Sequence, residues 1–109
     1  MLRVACYCRV STDKDDQANS FESQMRFFKE YVDRQPEWEL YEIYADKGIT
    51  GTSTKKRVRF NQMINDAYMG KFDIIITKEV SRFSRNILDT ISYTRELKAL
   101  GVYVIFLND

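Results

Sequence analysis

Four short apolar runs, separated by segments with helical spacing of apolar residues, constrain the fold of this chain more than any other feature. Such runs predict buried strands, and their alternation with amphipathic helices is typical of a parallel sheet covered by helices on both faces. The first predicted strand lies in the stretch Leu2–Asp13, where it ends at about Ser11 and runs into a polar turn. The other predicted strands are Trp38–Ala45, Phe72–Thr77 and Val102–Leu107. We therefore expect an α/β fold: a doubly wound, mainly parallel sheet of about four strands, joined by three crossover helices.

Capping residues and glycines mark where the helices begin and end. The first helix is expected to begin after Ser20 and end near 33–36, the second to carry 60–68 and end at Gly70, and the third to run from Asn86 to Gly101. Segment 46–56 has two glycines and four hydroxyl residues without apolar periodicity, which predicts a long functional loop. In the second strand, alternation places Tyr41, Ile43 and Ala45 on one face.

Overall charge gives no sign of a nucleic-acid partner. Seventeen basic and sixteen acidic residues leave a formal net charge of +1 over 109 residues, so a DNA-binding surface has to come from local clustering. This length fits one domain, and 44% hydrophobic with 30% charged residues suits an ordinary globular protein. Because no signal-peptide pattern and no apolar run of about 18 residues occurs, we expect a cytoplasmic protein without a membrane partner.

The absence of histidine narrows the chemistry that this chain can carry out. It excludes Ser-His and Cys-His catalytic pairs and most transition-metal sites. Cys6 and Cys8 point the same way on a buried strand and have no further ligand to complete a metal set, so they are interpreted as reduced core thiols. We expect no metal and no cofactor, and a chemistry that depends on serine, arginine, lysine and carboxylates.

The carboxyl end of the first strand is the first candidate site. Alternation predicts Tyr7, Arg9 and Ser11 on one side of the strand, and Cys6, Cys8 and Val10 on the other. Ligands of open α/β sheets bind outside the carboxyl ends of the strands, and arginine suits phosphate, so a phosphate site that holds a serine is predicted.

Further cations are expected to reach the same edge of the sheet. Lys78, Arg82 and Arg85 follow the third strand, and parallel strands end on one side. Lys55, Lys56 and Arg59 are equally well explained as solvated surface charges.

Three alternatives to a reaction at the serine fit the sequence less well. A non-catalytic, phosphate- or nucleic-acid-binding regulatory α/β domain explains the fold and Arg9 equally well, but not three arginines directed at one serine. A serine hydrolase lacks both the Gly-x-Ser-x-Gly elbow and a histidine. A P-loop nucleotidase lacks its Gly-x-x-x-x-Gly-Lys loop.

Taken together, the motifs resemble the catalytic domain of serine site-specific recombinases, the resolvase and invertase family, and in detail its large, integrase-like or transposon-borne members. The resemblance covers essentially the whole chain, in order and spacing. The motifs that carry it are YCRVSTD at 7–13, Gln24, DKGITG at 46–51, Arg57 and SRFSRN at 81–86.

The resemblance implies that this chain breaks a DNA phosphodiester and becomes joined to the 5′ phosphate through Ser11. Arg9, Arg82 and Arg85 would then bind the scissile phosphate and its transition state. Arg57 matches a further positively charged position, and Gln24 and Asp46 match positions that support the site. Lys78 and Ser81, which lie at or beside the last motif, are expected to bind the DNA phosphate or to support the site as well.

The chain departs from the family pattern at two positions. Ser81 stands where the family often has Asp, which argues against a scheme in which an acid there protonates the leaving oxygen. Val58 stands where a proline commonly follows the loop arginine.

The resemblance also implies DNA as the partner, with homodimers and tetramers in the full-length protein. Nothing in the sequence resembles a helix-turn-helix or a zinc module. Residues 1–109 are therefore expected to be the N-terminal catalytic domain, with the DNA-binding region outside them.

Overall fold

The computed structural model describes residues 1–10, 20–47, 58–78 and 87–107, which form strands and helices in strict alternation. In chain order these are β1 (Leu2–Val10), α1 (Phe21–Asp33), β2 (Trp38–Lys47), α2 (Val58–Tyr68), β3 (Ile74–Thr77), α3 (Ile87–Ala99) and β4 (Tyr103–Phe106). The predicted order of elements is confirmed. Asn86, the expected cap of the third helix, lies outside the described residues.

The strands form one sheet in the order β2-β1-β3-β4, and each neighbouring pair is parallel. Cys6 lies opposite Ile43 of β2 and Ile76 of β3, so β1 has a neighbour on each side. The chain leaves β1 toward one edge and returns on its other side, so the strand order reverses between β1 and β3. The predicted doubly wound sheet is therefore confirmed.

Each face of the sheet has its own apolar layer. Phe28 and Val32 of α1 pack on the face that carries Cys6, Cys8 and Val10. The buried residues of the opposite layer come from the sheet, from α2 and α3, and from segments beside them: Ala5, Tyr7, Tyr44, Phe60, Met63, Ala67, Phe72, Ile75, Leu97 and Val102. Helices thus cover both faces, and the predicted alternation is confirmed for Tyr7 on one face and for Cys6, Cys8 and Val10 on the other, while Ser11 lies outside the described residues.

The ends of the helices follow the local signals in the sequence. Ser20 caps α1, and its hydroxyl accepts a hydrogen bond from the Ser23 amide at 3.3 Å. Gly70 and Gly101 follow α2 and α3 with φ of 71° and 86°, a conformation that glycine adopts without strain. Within the described residues, no helix is long and apolar enough to cross a membrane.

The strands differ from the sequence prediction in several details. β2 extends to Lys47, so that Asp46 belongs to the strand and not to the predicted loop, and β4 covers only Tyr103–Phe106. The pairing of β1 with β2 skips Tyr41, because Val4 lies opposite Leu40 and Ala5 opposite Glu42. This bulge turns the Tyr41 ring toward Phe72, whereas Ile43 and Ala45 pack on the α1 face, so the prediction of one shared face was wrong.

The third strand also begins later than predicted, at Ile74 rather than Phe72. Asp73 accounts for this, since its carboxylate accepts a hydrogen bond from the Arg3 amide at 2.9 Å and forms an ion pair with the Arg3 guanidinium at 3.4 Å. The bond from the Arg3 amide is the main reason that the pKa of the Asp73 carboxyl lies below its usual value. Arg3 is thus an anchor between β1 and the start of β3.

Candidate active site

The predicted site lies where the strand order reverses, at the carboxyl ends of β1 and β3. A narrow crevice lies there between closely packed side chains. Its described lining residues are Tyr7, Cys8, Arg9, Gln24, Phe28 and Lys78. Arg9, Gln24 and Lys78, three of the residues predicted from the sequence, are thus brought together at the position where this class of sheet binds ligands.

Arg9 is held at this crevice by the sheet itself. It is the penultimate residue of β1 and lies opposite Asp46 of β2 in the register. Its side chain is partly buried, and the Nε atom is buried. Arg9 is therefore partly buried at the end of the strand and is not a fully solvated surface charge.

Lys78 supplies a second cation to the same crevice. It follows the last residue of β3, and its Nζ lies 4.2 Å from the centroid of the Phe27 ring in α1. Among the residues that the structure describes, Lys78 forms no ion pair, and no carboxylate lines the crevice. The described part of the crevice is electropositive, which suits an anion such as a phosphate.

Gln24 reaches the crevice from α1 and is only 2% exposed. It lies one turn before Phe28, which is in the apolar layer under that helix. A buried amide at this point offers hydrogen bonds beside Arg9, which fits the supporting role predicted for it.

Asp46 binds groups of the protein itself and supports the site indirectly. One carboxylate oxygen accepts the Arg59 amide at 2.9 Å, and the other accepts the Phe60 amide and the Tyr7 hydroxyl, each at 3.0 Å. The two amides belong to the first turn of α2, so a carboxylate from β2 caps this helix.

Tyr7 lines the crevice but was not predicted as a site residue. Its hydroxyl joins β1 to the Asp46 cap, and its ring meets Phe60 edge-on at 5.2 Å between centroids. The alternation that put Tyr7 on the face of Arg9 was the available signal. Tyr7 and Asp46 together fix the end of β1 relative to the start of α2.

Arg59 belongs to a separate network of contacts between α2 and β2. Its guanidinium bonds to Glu42 at 2.8 Å, also bonds to Gln62, and lies 4.8 Å from the centroid of the Tyr44 ring. The Tyr44 hydroxyl donates to Asp66 at 2.6 Å, and burial, followed by this hydrogen bond, raises the pKa of Tyr44. Arg59 is therefore a structural cation that is engaged with its neighbours, and not a solvated surface charge.

The buried thiols take no part in this arrangement. Cys6 and Cys8 are reduced and lie in the layer beneath α1. Burial, and secondarily the neighbouring Cys8, raises the pKa of the Cys6 thiol, so it stays protonated and inert at neutral pH. Within the described ranges, no group of three or more acidic, cysteine or histidine side chains is placed to hold a metal ion.

Several predicted site residues cannot be placed relative to this crevice. Those that lie outside the described residues are Ser11, Arg57, Ser81, Arg82 and Arg85, together with Lys55 and Lys56. Their positions in the sequence put Ser11 directly after β1, Arg57 directly before α2, and the other arginines after β3.

Comparison with known proteins supports the assignment made from the motifs. Residues 4–109 match the family model described as "Resolvase, N terminal domain". No curated protein sequence matches the chain significantly.

Solved structures show the same fold. A resolvase family site-specific recombinase from Streptococcus pneumoniae is 30% identical with a TM-score of 0.79, over 98% of this chain and 72% of that chain. The N-terminal catalytic domain of TP901-1 integrase, at 24% identity and a TM-score of 0.81, shares the fold over 96% of this chain and 77% of that chain.

A third likeness extends to transposon proteins. The first open reading frame of transposon ISC1904 from Sulfolobus solfataricus is 25% identical with a TM-score of 0.73, over 97% of this chain and 67% of that chain. Because the family model spans almost the whole chain, and a recombinase of that family matches it at 30% identity, the chain belongs to the resolvase family of serine site-specific recombinases and forms a catalytic domain of that family.

Proposed function

We propose that Ser11 is the nucleophile of this recombinase domain and forms a covalent bond to the 5′ phosphate of the cleaved DNA strand. The observation that carries the proposal is the electropositive crevice where the strand order reverses, which has both Arg9 and Lys78 among its lining residues. Ser11 comes two residues after Arg9, at the same end of β1. The sequence thus brings a hydroxyl to a site suited to phosphate.

The proposed reaction exchanges one phosphoester for another. The Ser11 hydroxyl loses its proton and its oxygen bonds to phosphorus, while the bond from phosphorus to the 3′ oxygen breaks and that oxygen leaves as a 3′-hydroxyl. Rejoining reverses these steps: a 3′-hydroxyl attacks the phosphoserine, and Ser11 recovers its proton. Since the energy of the phosphoester is kept, the cycle does not require a nucleotide cofactor.

Arginines supply the stabilisation of charge in this scheme. Arg9, Arg82 and Arg85 hold the non-bridging phosphate oxygens, and Arg57 and Lys78 add positive charge. Guanidinium groups that are fixed before the reaction stabilise the extra charge of the transition state without reorganising. We propose that they take the part that divalent metals play in other phosphoryl-transfer enzymes, so that cleavage needs no metal.

The supporting residues fix the geometry of this scheme. The Tyr7 hydroxyl and the first-turn amides of α2 converge on Asp46, which links the strand before Ser11 to the helix after Arg57. Gln24 and Ser81 are assigned to the surroundings of the phosphate. The alternative, a regulatory domain that binds phosphate without reacting, is not favoured by membership of a recombinase family.

The domain organisation is part of the same proposal. Residues 1–109 carry out the catalysis, while choice of the DNA site and assembly into homodimers and tetramers belong to other parts of the full-length protein. This division fits a catalytic domain with a net charge near zero.

Trapping the covalent intermediate tests the proposal. The full-length protein is incubated with site DNA that carries a 3′-bridging sulfur at the scissile phosphate, because the thiol that leaves rejoins poorly. We expect an adduct in denaturing gels, phosphoserine at position 11 by mass spectrometry, and the same yield in excess EDTA.

Two serine variants make the trapping experiment specific. Ser11→Ala should bind the DNA but form no adduct, whereas Ser92→Ala, at an exposed position of α3, should form it as the wild type does. An adduct in Ser11→Ala, or one mapped to Ser81 or Ser84, would show that the nucleophile is wrong. Loss of the adduct in EDTA, restored by Mg²⁺, would overturn the metal-free mechanism.

A further inference from the structure

Lys78 differs from the described cations that form ion pairs. Arg3, Arg59 and Lys71 each lie within 4.0 Å of a carboxylate oxygen. Lys78 instead lies over an aromatic ring, with 4.2 Å from Nζ to the centroid of Phe27. A ring face attracts a cation through its quadrupole but does not neutralise its charge.

The Phe27 ring is itself held in place by its neighbours on α1. It meets Phe28 edge-on at 5.3 Å between centroids, and stacks on Tyr31 at 6.2 Å with an interplanar angle of 21°. Phe28 is fully buried and lines the crevice. The aromatic partner of Lys78 therefore has a fixed position one turn after Gln24.

We infer that Phe27 is a positioning residue that holds the Lys78 ammonium at the crevice, so that this ammonium meets the phosphate as a full positive charge. A lysine side chain loses substantial rotamer entropy when it is ordered, and a fixed ring reduces the part of that cost that remains when the ammonium stabilises the phosphate in the transition state. A carboxylate in the place of the Phe27 ring would neutralise the ammonium and repel the phosphate. The inference rests on the proposed function, because it assumes that the crevice receives the scissile phosphate.

A double-mutant cycle tests the link between the two side chains. Adduct formation on the sulfur-containing DNA is measured at saturating DNA, together with the Kd, in the wild type, Phe27→Leu, Lys78→Gln and the double variant. We expect Phe27→Leu to slow adduct formation roughly three- to tenfold, as expected for loss of a partly desolvated cation–π contact. In the Lys78→Gln background, the same change should have no further effect.

A shape-matched substitution separates the electrostatic role from packing. Pentafluorophenylalanine at position 27 keeps the shape of the ring but removes its negative face, so it should reproduce the slower reaction while the melting temperature stays near that of the wild type. Phe27→Trp, which has a stronger ring face, should retain activity.

The outcomes distinguish this inference from the proposed function. Equal effects of Phe27→Leu in both backgrounds, or full activity with the fluorinated ring, would reduce Phe27 to a packing residue. Full activity of Lys78→Gln would overturn the inference while leaving Ser11 as the nucleophile. An adduct in Ser11→Ala would overturn the proposed function itself.

Discussion

At the scale of single residues, the described cations near the sheet edge fall into two groups. The Arg59 guanidinium is engaged with Glu42 and the Tyr44 ring, and it belongs to the framework of α2. Arg9 and Lys78 lie at the crevice, and the sequence adds Arg82 and Arg85 shortly after Lys78. The same residue types therefore have different tasks within one edge of the sheet.

Replacement of the two later arginines should impair cleavage far more than DNA binding. Arg82→Ala and Arg85→Ala are each expected to slow adduct formation by about 10²–10³, as removal of a transition-state donor does in other enzymes. Arg59→Ala is the matched control: it should keep the rate of adduct formation and lose at most about 1 kcal/mol of stability, since its ion pair is partly exposed. Near wild-type cleavage by both Arg82 and Arg85 variants would assign them to the surface.

At the scale of elements, two tyrosine hydroxyls bond to aspartates where the sheet meets α2: Asp46 of β2, which caps that helix, and Asp66 within it. Tyr7 of β1 donates to Asp46 near the crevice, and Tyr44 of β2 donates to Asp66 further along the helix. The two bonds are chemically alike, and only the first lies beside the predicted nucleophile. A comparison of the two bonds therefore tests whether closeness to the nucleophile matters, because the type of hydrogen bond is the same in both.

Removal of the two hydroxyls should separate stability from catalysis. Tyr7→Phe and Tyr44→Phe should each lower the free energy of unfolding by about 1–2 kcal/mol, measured with urea, because each leaves a buried carboxylate with one donor fewer. Adduct formation should slow severalfold in Tyr7→Phe only. If both variants react at the same rate, the Asp46 cap does not position the site.

The sequence was sufficient for those elements whose signals are local. Ser20, Gly70 and Gly101 mark helix ends through their own side chains or backbone freedom, and the alternation along β1 separates Tyr7 from Cys6. The bulge at Tyr41 escaped prediction because it depends on how β2 pairs with β1.

The contacts that organise the site escaped prediction for the same reason. Tyr7 and Asp46 are 39 positions apart, and their bond exists only once β1 and β2 are in register. The contact between Phe27 and Lys78 likewise requires α1 to be packed against the end of β3. Sequence patterns identified the cations and the strand ends, but not the partners that hold them.

At the scale of the whole molecule, the nearly balanced charge predicts weak binding to DNA. The 109-residue chain has a formal net charge of +1, so its affinity depends on a local group of cations. We expect a Kd for arbitrary duplex DNA of about 10⁻⁴–10⁻⁶ M, rising steeply with salt because bound counterions are released.

Fluorescence anisotropy of a labelled duplex between low and physiological salt checks this prediction. A duplex of scrambled sequence serves as the control and should bind equally well. Nanomolar affinity that resists salt, or a clear preference for one sequence, would show that the chain reads bases by itself.

The central position of β1 has a consequence for how this domain becomes active during folding. Arg9 belongs to the first strand to be synthesised, whereas Lys78 follows the third, and contacts such as that between Arg3 and Asp73 span 70 positions. Parallel pairing over such a distance forms late, because the loop between the strands must first be closed. A nascent chain that ends before β3 therefore carries Arg9 without Lys78, the other cation that lines the crevice. The crevice at the carboxyl ends of β1 and β3 thus forms only after β3 has been synthesised and has paired with β1.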